Sequence, residues 1–147
     1  AGASDPEITK TLSVILHTFD NPVHRLLALR GLVRLLPLNM VLSGPEKLEI
    51  LQQAFRRAAG TGEKKMLLSS LASLKVPKAM SLAEGYLADR ELKTEAGLCV
   101  LKIAMALAAT HPELAETAVR HALSFSTDES WQQQAEELLA RLEKGKS

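Results

Sequence analysis

Aromatic residues are scarce in this sequence, in which phenylalanine, tryptophan and tyrosine together make up 3% of the 147 residues. Proteins that bind single-stranded nucleic acid stack the bases on aromatic rings, and sugar-binding platforms also need tryptophan and tyrosine. One tryptophan and one tyrosine are too few for such a platform. The core must therefore be built from leucine, alanine, valine, isoleucine and methionine.

Cysteine, net charge and long apolar runs are also nearly missing. Cys99 is the single cysteine, which excludes an intramolecular disulfide and a multi-thiolate metal site. We expect it to be a buried small hydrophobic residue, because no neighbour in its apolar helix could activate it as a nucleophile. The net charge of +1 gives no global field that would attract nucleic acid or an anionic membrane. The longest apolar run, residues 103–109, is much shorter than the roughly 18–20 residues of a membrane span.

Helical periodicity runs through the whole sequence, whereas the alternating pattern of strands is rare. The chain is therefore expected to be all-α. It should form a single domain over residues 1–147, because no long linker or low-complexity segment divides it. The pattern predicts eight helices, about Pro6–Phe19, Pro22–Leu36, Pro45–Ala59, Glu63–Leu74, Pro77–Ala88, Leu92–Thr110, Pro112–Phe125 and Glu129–Glu143.

Prolines and capping residues support these helix starts. Five of the six prolines lie where a helix is predicted to begin, and the sixth, Pro37, ends the second helix. Proline suits the first helical turn because the N–H that it lacks would have no intrahelical partner there. Residues 43–46 and 110–113 both match the capping box, in which a hydroxyl residue precedes a glutamate by three positions.

An apolar pattern recurs in alternate helices, where an apolar residue is followed by others four and seven positions later. At about 100° per residue, the three positions form one stripe of a helix. One helix pair cannot bury its apolar face alone, so the repetition predicts four stacked pairs. The stripes are Ala28/Leu32/Leu35, Leu67/Leu71/Leu74, Ala96/Val100/Ile103 and Ala135/Leu139/Leu142.

These repeated pairs resemble HEAT-type helical repeats. The resemblance rests on a turn aspartate before the second helix of a pair, a basic residue early in that helix, and a small or aliphatic residue three positions later. The third copy shows all three features in Asp89, Lys93 and Ala96, whereas the fourth has Gln132 at the basic position and the second lacks the aspartate. The resemblance covers nearly the whole chain. It implies a right-handed αα superhelix, a HEAT/ARM-like solenoid of about four helix pairs.

A narrower resemblance follows from the segments "LLALRGLVRLLPL" and "KTEAGLCVLKIA". They are similar to HEAT-like regions of large bacterial multidomain proteins, in which the repeats are often fused to sugar-processing or haem-binding domains. That resemblance implies a scaffold domain cut from a longer bacterial protein, with an exported parent as one option, and the missing initiator methionine agrees with it. The compartment itself stays open.

Carboxylates and the tryptophan have structural interpretations. The turn aspartates Asp20, Asp89 and Asp128 are expected to cap helices rather than to act as general acids. Trp131, at the start of the last helix, is expected to pack against the preceding helix rather than to anchor a partner. Neither feature predicts chemistry.

Histidines form no pattern that predicts a metal site or catalysis. The sequence has no His-x-x-x-His pair and no His-Glu-x-x-His motif. We therefore expect surface or capping histidines, and we predict no catalytic, cofactor-binding or metal-binding residue. The four histidines are His17, His24, His111 and His121.

A basic column is the strongest candidate for a binding surface. Six residues after the first apolar position of three stripes come Arg34, Lys102 and Arg141, and the second copy has Ser73 there. At about 240° from that position, these side chains should face water. The second helix of each HEAT-like pair usually lines the concave binding surface, so the basic column suits an acidic peptide or a phosphate. The alternative is an ordinary solvated face.

The favoured function is therefore a non-catalytic scaffold that binds a protein, a peptide or other domains of its parent chain, with no cofactor and no membrane. Two alternatives stay open. One is a nucleic-acid-binding HEAT-like domain similar to DNA glycosylases, against which the scarce aromatics and the low net charge argue. The other is a bilin-lyase-like enzyme subunit, since some HEAT-like repeats belong to such enzymes.

Overall fold

A computed structural model of the chain describes residues 25–38, 42–58, 60–125 and 129–145. Every regular element in these ranges is helical, which confirms the all-α class. The first predicted helix, Pro6–Phe19, lies outside the described residues. The elements are α1 (Arg25–Leu35), a 3₁₀ helix (Leu36–Leu38), α2 (Gly44–Arg57), α3 (Thr61–Leu71), α4 (Pro77–Glu84), α5 (Lys93–Leu107), α6 (Pro112–Ser124) and α7 (Glu129–Gly145).

The chain divides into two compact units, residues 1–70 and 71–147. The first unit contains α1, the 3₁₀ helix, α2 and nearly all of α3, and the second contains α4 to α7. A single domain over residues 1–147 stays a prediction.

Helix starts in the described part follow the prolines. Pro45, Pro77 and Pro112 each lie in the first turn of a helix, as predicted. The capping box at Ser43 is also confirmed. The Ser43 N–H donates to Glu46 Oε1 at 2.9 Å, and the Glu46 N–H donates to Ser43 Oγ at 3.3 Å. Two backbone donors that α2 could not satisfy internally therefore find partners.

The second predicted capping box, at Thr110, is wrong. The residue before α6 is His111, so Thr110 stands one position too early to cap that helix. Its hydroxyl donates to the carbonyl of Leu107 at 3.5 Å and lies 2.9 Å from His111 Nδ1. Thr110 thus closes the end of α5 rather than opening α6.

Several helices end earlier than their apolar pattern predicts, and local bonding or proline accounts for two of these ends. α4 stops at Glu84 because the following N–H groups bond three residues back: Tyr86 to Ala83 at 3.0 Å and Leu87 to Glu84 at 3.1 Å. This tighter turn is 3₁₀-like and still buries Leu87. α1 ends at Leu35 and continues as the 3₁₀ helix that contains Pro37.

The buried face of α1 differs from the predicted stripe by one residue. Leu29 is fully buried, and Leu32 and Leu36 are 9% and 6% exposed, so they line this face. Leu35 was predicted to be buried and is 57% exposed, so that prediction is wrong. One residue corresponds to about 100° on a helix, so a stripe aligned one position early turns its last member outward.

Helices α4 to α7 of the second unit pack with their neighbours in sequence and also with the helix after next. α4 contacts α5 and α6, α5 contacts α6 and α7, and α6 contacts α7. The predicted stripes Ala96/Val100/Ile103 and Ala135/Leu139/Leu142 are buried, as is Leu67/Leu71/Leu74. Alanines recur on the buried faces, which lets the helices approach closely: Ala79, Ala83, Ala96, Ala104, Ala115, Ala118, Ala122 and Ala135.

Trp131 holds α7 against α5. Its side chain is 1% exposed, so burial of the tryptophan is confirmed. Its indole contacts α5, two helices back, and packing against the preceding helix α6 stays a prediction. A Cβ added at Gly97 would lie 2.9 Å from Trp131 Cζ2 and 3.0 Å from Cε2 and Cη2. Only a residue without a side chain leaves room for the indole ring at this place.

We expect Gly97→Ala to lower the free energy of unfolding by about 1–3 kcal/mol, because the new methyl group overlaps a ring that cannot leave the core. Chemical denaturation followed by circular dichroism measures this change. Gly31→Ala is the matched control, since α1 has open space there and the substitution should stabilise by about 0.5–1 kcal/mol. Equal stability of Gly97→Ala and the wild type would contradict the close packing. In the background of Trp131→Leu, which removes the ring, the cost of Gly97→Ala should largely disappear.

The two hydroxyl residues should differ in their contribution to stability. Ser43→Ala removes a complete capping box and should cost about 0.5–2 kcal/mol of unfolding free energy. Thr110→Ala removes a long bond to Leu107 and an exposed contact with His111, and should cost less than about 0.5 kcal/mol. Urea denaturation of both variants tests the assignment, and a larger loss for Thr110→Ala would reverse it.

Candidate partner-binding site

The basic column consists of exposed side chains. Arg34, Lys102 and Arg141 all face solvent, as their helical angle predicts, and so does Ser73. Arg34 belongs to the first unit, whereas Lys102 on α5 and Arg141 on α7 belong to the second, where these two helices pack together. With the stripe of α1 aligned on Leu29, Leu35 takes the column position and Arg34 does not. The register argument thus holds for Lys102 and Arg141 alone.

Arg141 and Lys102 have no anionic partner among the described residues, where neither side chain forms a hydrogen bond or an ion pair. Arg120 on α6 is the contrast. Its guanidinium lies 3.0 Å from a carboxylate oxygen of Glu116 and 3.1 Å from one of Glu143. The bond to Glu116 is the main cause of a raised pKa for Arg120; desolvation opposes it, and the charges of Glu116 and Glu143 and the bond to Glu143 add to it. Arg120 is therefore neutralised locally, whereas Arg141 is available to an outside anion.

A half-open groove of about 460 Å³ adjoins Arg141. Its floor consists of Leu138 and Leu142 on α7, which are 3% and 5% exposed. Its walls come from the end of α5, the turn after it and the start of α6, with Met105 50% exposed at the rim. The wall residues are Met105, Ala108, Ala109 and Pro112. Arg141 is the single charged side chain of this lining, so we name this feature the Arg141 groove.

Sequence reasoning missed the Arg141 groove, although it identified Arg141. Periodicity shows that Leu138 and Leu142 face inward, but it does not show that the space above them is left unfilled. One signal was present: the small residues Ala106, Ala108 and Ala109 follow Met105, so little side-chain volume is available at the end of α5.

Cys99 is a core residue, as predicted. Its side chain is 2% exposed, and burial raises the pKa of its thiol to about 12, with Lys102 opposing the shift slightly. A thiol with that pKa stays protonated at neutral pH and is a poor nucleophile. Cys99 therefore packs in the core of α5 beside Val100 and has no catalytic role to propose.

Asp89 closes the turn before α5 but does not cap the helix as expected, because the N-cap is Leu92, which makes no side-chain capping bond. Asp89 Oδ1 accepts the N–H of Glu91 at 2.9 Å and that of Leu92 at 3.3 Å. Its charge is the secondary cause, after burial, of a raised pKa for Tyr86. The other turn aspartates, Asp20 and Asp128, lie outside the described residues.

His121 has a partner that the sequence did not indicate. Its Nδ1 lies 2.6 Å from Glu84 Oε2, and this contact links α6 to the end of α4. The rings of His121 and Phe125 are arranged edge to face, with their centroids 5.4 Å apart. His111 is the residue before α6 and makes no side-chain capping bond. His17 and His24 lie outside the described residues. The groups that could ligate a metal form no cluster of three or more in the described part of the chain.

The reactivity of Cys99 should report its burial. With a pKa of about 12, the thiol should react with Ellman's reagent at pH 8 far more slowly than the denatured chain does, and at a rate limited by opening of the fold.

The raised pKa of Cys99 also predicts that stability depends on pH. The unfolded thiol ionises near its ordinary value and the folded one does not, so its contribution to stability is lost as pH rises from about 9 towards 12. Cys99→Ala should lack this contribution. Fast labelling of the native protein would contradict a buried Cys99.

None of the described helices is long and apolar enough to cross a membrane. Comparisons with protein-family models, with curated proteins and with solved structures give no match to this chain. A functional proposal therefore rests on the residues and their geometry.

Proposed function

We propose that this chain is a HEAT-like, right-handed α solenoid of about four helix pairs that acts as a non-catalytic scaffold. Its partner is an acidic protein or peptide, or an acidic surface of another domain of its parent chain. The candidate contacts are the basic column, with Arg141 and Lys102 central and Arg34 a further candidate in the first unit.

The packing of the second unit supports the solenoid. In stacked helix pairs, the first helices of successive pairs contact each other, and so do the second helices. With α4/α5 and α6/α7 as pairs, the contacts α4–α6 and α5–α7 have this form. A closed four-helix bundle would instead pack its first helix along its last. Among the described helices, α4 and α7 are not an extensively packed pair.

The main support for the proposal is a pair of cationic side chains without ion pairs, on the second helices of two neighbouring helix pairs. Lys102 on α5 and Arg141 on α7 are exposed and lack ion pairs within the described residues, whereas Arg120 is bound to two carboxylates. Folding leaves the charges of Lys102 and Arg141 to solvent or to a partner. Guanidinium and ammonium groups bind carboxylates most strongly when they are not already neutralised.

The burial of Trp131 argues against the nucleic-acid alternative. The single tryptophan of the sequence is 1% exposed and packed on Gly97, so it cannot stack on a base without unfolding the second unit. No described residue favours the bilin-lyase alternative, which stays a hypothesis.

The test is affinity capture from an extract of the source organism, read by mass spectrometry, with the wild type beside Arg34/Lys102/Arg141→Glu. We expect a partner that the wild type retains at low salt and the triple variant loses by about tenfold or more, because three favourable charges become repulsive. Lys102/Arg141→Glu and Arg34→Glu, captured separately, show which unit carries the contact.

Arg90→Glu is the charge control, since Arg90 is exposed in the turn before α5 and lies outside the basic column. All variants are compared at equal thermal stability. A partner retained equally by the wild type and the triple variant would remove the basic column from the binding site. DNA captured by the wild type, with an affinity that falls steeply with salt, would favour the nucleic-acid alternative.

A further inference from the structure

The size and lining of the Arg141 groove restrict what it can bind. Its volume of about 460 Å³ falls within the range of about 300–1,000 Å³ that is usual for ligand sites. Alanine, leucine, methionine and proline line it, with Arg141 as the charged exception. A sugar or nucleotide would leave many polar groups unpaired on such walls. An apolar group that carries one carboxylate would match them.

Arg141 is placed to recognise that carboxylate. Its guanidinium can bind both carboxylate oxygens at once, and no described residue occupies it. Glu137, four residues earlier, is the acidic residue one turn before Arg141 on its own helix, and the two form no ion pair. Glu137 therefore repels an incoming anion without neutralising Arg141.

Lys102 indicates that the ligand is longer than the Arg141 groove. It lies three residues before Met105 on the same exposed side of α5, but it is outside the lining of the groove. One turn of helix separates the two, which is about 5 Å. A compact molecule that fills the groove would not reach Lys102, whereas an extended peptide along α5 would meet both cations. Met105 at the rim is flexible enough to adapt to the inserted side chain.

We propose that the Arg141 groove binds a peptide segment in which one large apolar side chain stands beside one or more carboxylates. The apolar side chain lies over Leu138 and Leu142, one carboxylate pairs with Arg141, and a second faces Lys102. This inference rests on the proposed scaffold function and specifies the site and the ligand for it.

The experiment is selection of a phage-displayed random nonapeptide library on the full chain, followed by fluorescence anisotropy with the enriched peptides. We expect enrichment of leucine, isoleucine, phenylalanine or methionine next to aspartate or glutamate. Arg141→Glu should weaken binding of these peptides by about tenfold or more. Ala109→Arg, which fills the groove from an exposed position, should abolish it. Glu137→Gln should strengthen binding, because it removes the repelling charge.

Arg90→Glu and Lys78→Glu are the matched controls, since both residues are exposed in the second unit and lie away from the groove. They should leave the affinity within about twofold of the wild type. Failure to enrich any peptide, enrichment without acidic residues, or binding that Arg141→Glu and Ala109→Arg leave unchanged would overturn the proposal. Decanoate that binds more tightly than every enriched peptide would assign the groove to small amphiphiles and would also overturn it.

Failure of this inference can be told apart from failure of the scaffold. If the captured partner is lost with Lys102/Arg141→Glu but binds Ala109→Arg normally, the basic column binds the partner and the groove does not. If enriched peptides bind as expected but no partner depends on the basic column, the groove is a peptide site and the scaffold proposal fails.

Discussion

Contact between the indole of Trp131 and the backbone of Gly97 sets how α7 lies on α5, and both components of the candidate site depend on that arrangement. Lys102 is on one of these helices and Arg141 on the other. The floor of the Arg141 groove comes from α7 and one of its walls from the end of α5. A bulkier residue at position 97 would push the helices apart and separate the groups proposed to bind one peptide. Close packing is thus a condition for recognition here, not only for stability.

Much of the helical content could be predicted because it depends on local rules. Pro45, Pro77 and Pro112 mark helix starts through the chemistry of proline alone, and Ser43 and Glu46 satisfy each other within four residues. Errors arose where two local rules gave nearly equal answers. At Thr110, a hydroxyl could cap either the helix behind it or the helix ahead of it. At Leu35, a stripe displaced by one residue fits the sequence nearly as well as the correct one.

Contacts that join distant residues were not predictable from the pattern. Trp131 was expected to be buried, but its partner Gly97 is 34 positions earlier and looks like an ordinary helix glycine in the sequence. The bond between His121 and Glu84 has no signal in the sequence at all. The same holds for the Arg141 groove. The exposure of Arg141 follows from helical angle, whereas the empty space beside it depends on where three helix ends stop.

Because Trp131 is the single tryptophan of the chain and lies in the second compact unit, its fluorescence reports on that unit alone. Circular dichroism, in contrast, sums the helices of both units. Comparing tryptophan fluorescence with circular dichroism during denaturation therefore shows whether the two units unfold together. Coincident denaturation curves from the two signals would mean that stability is shared along the chain. Separate curves would mean that each unit is an independent thermodynamic system.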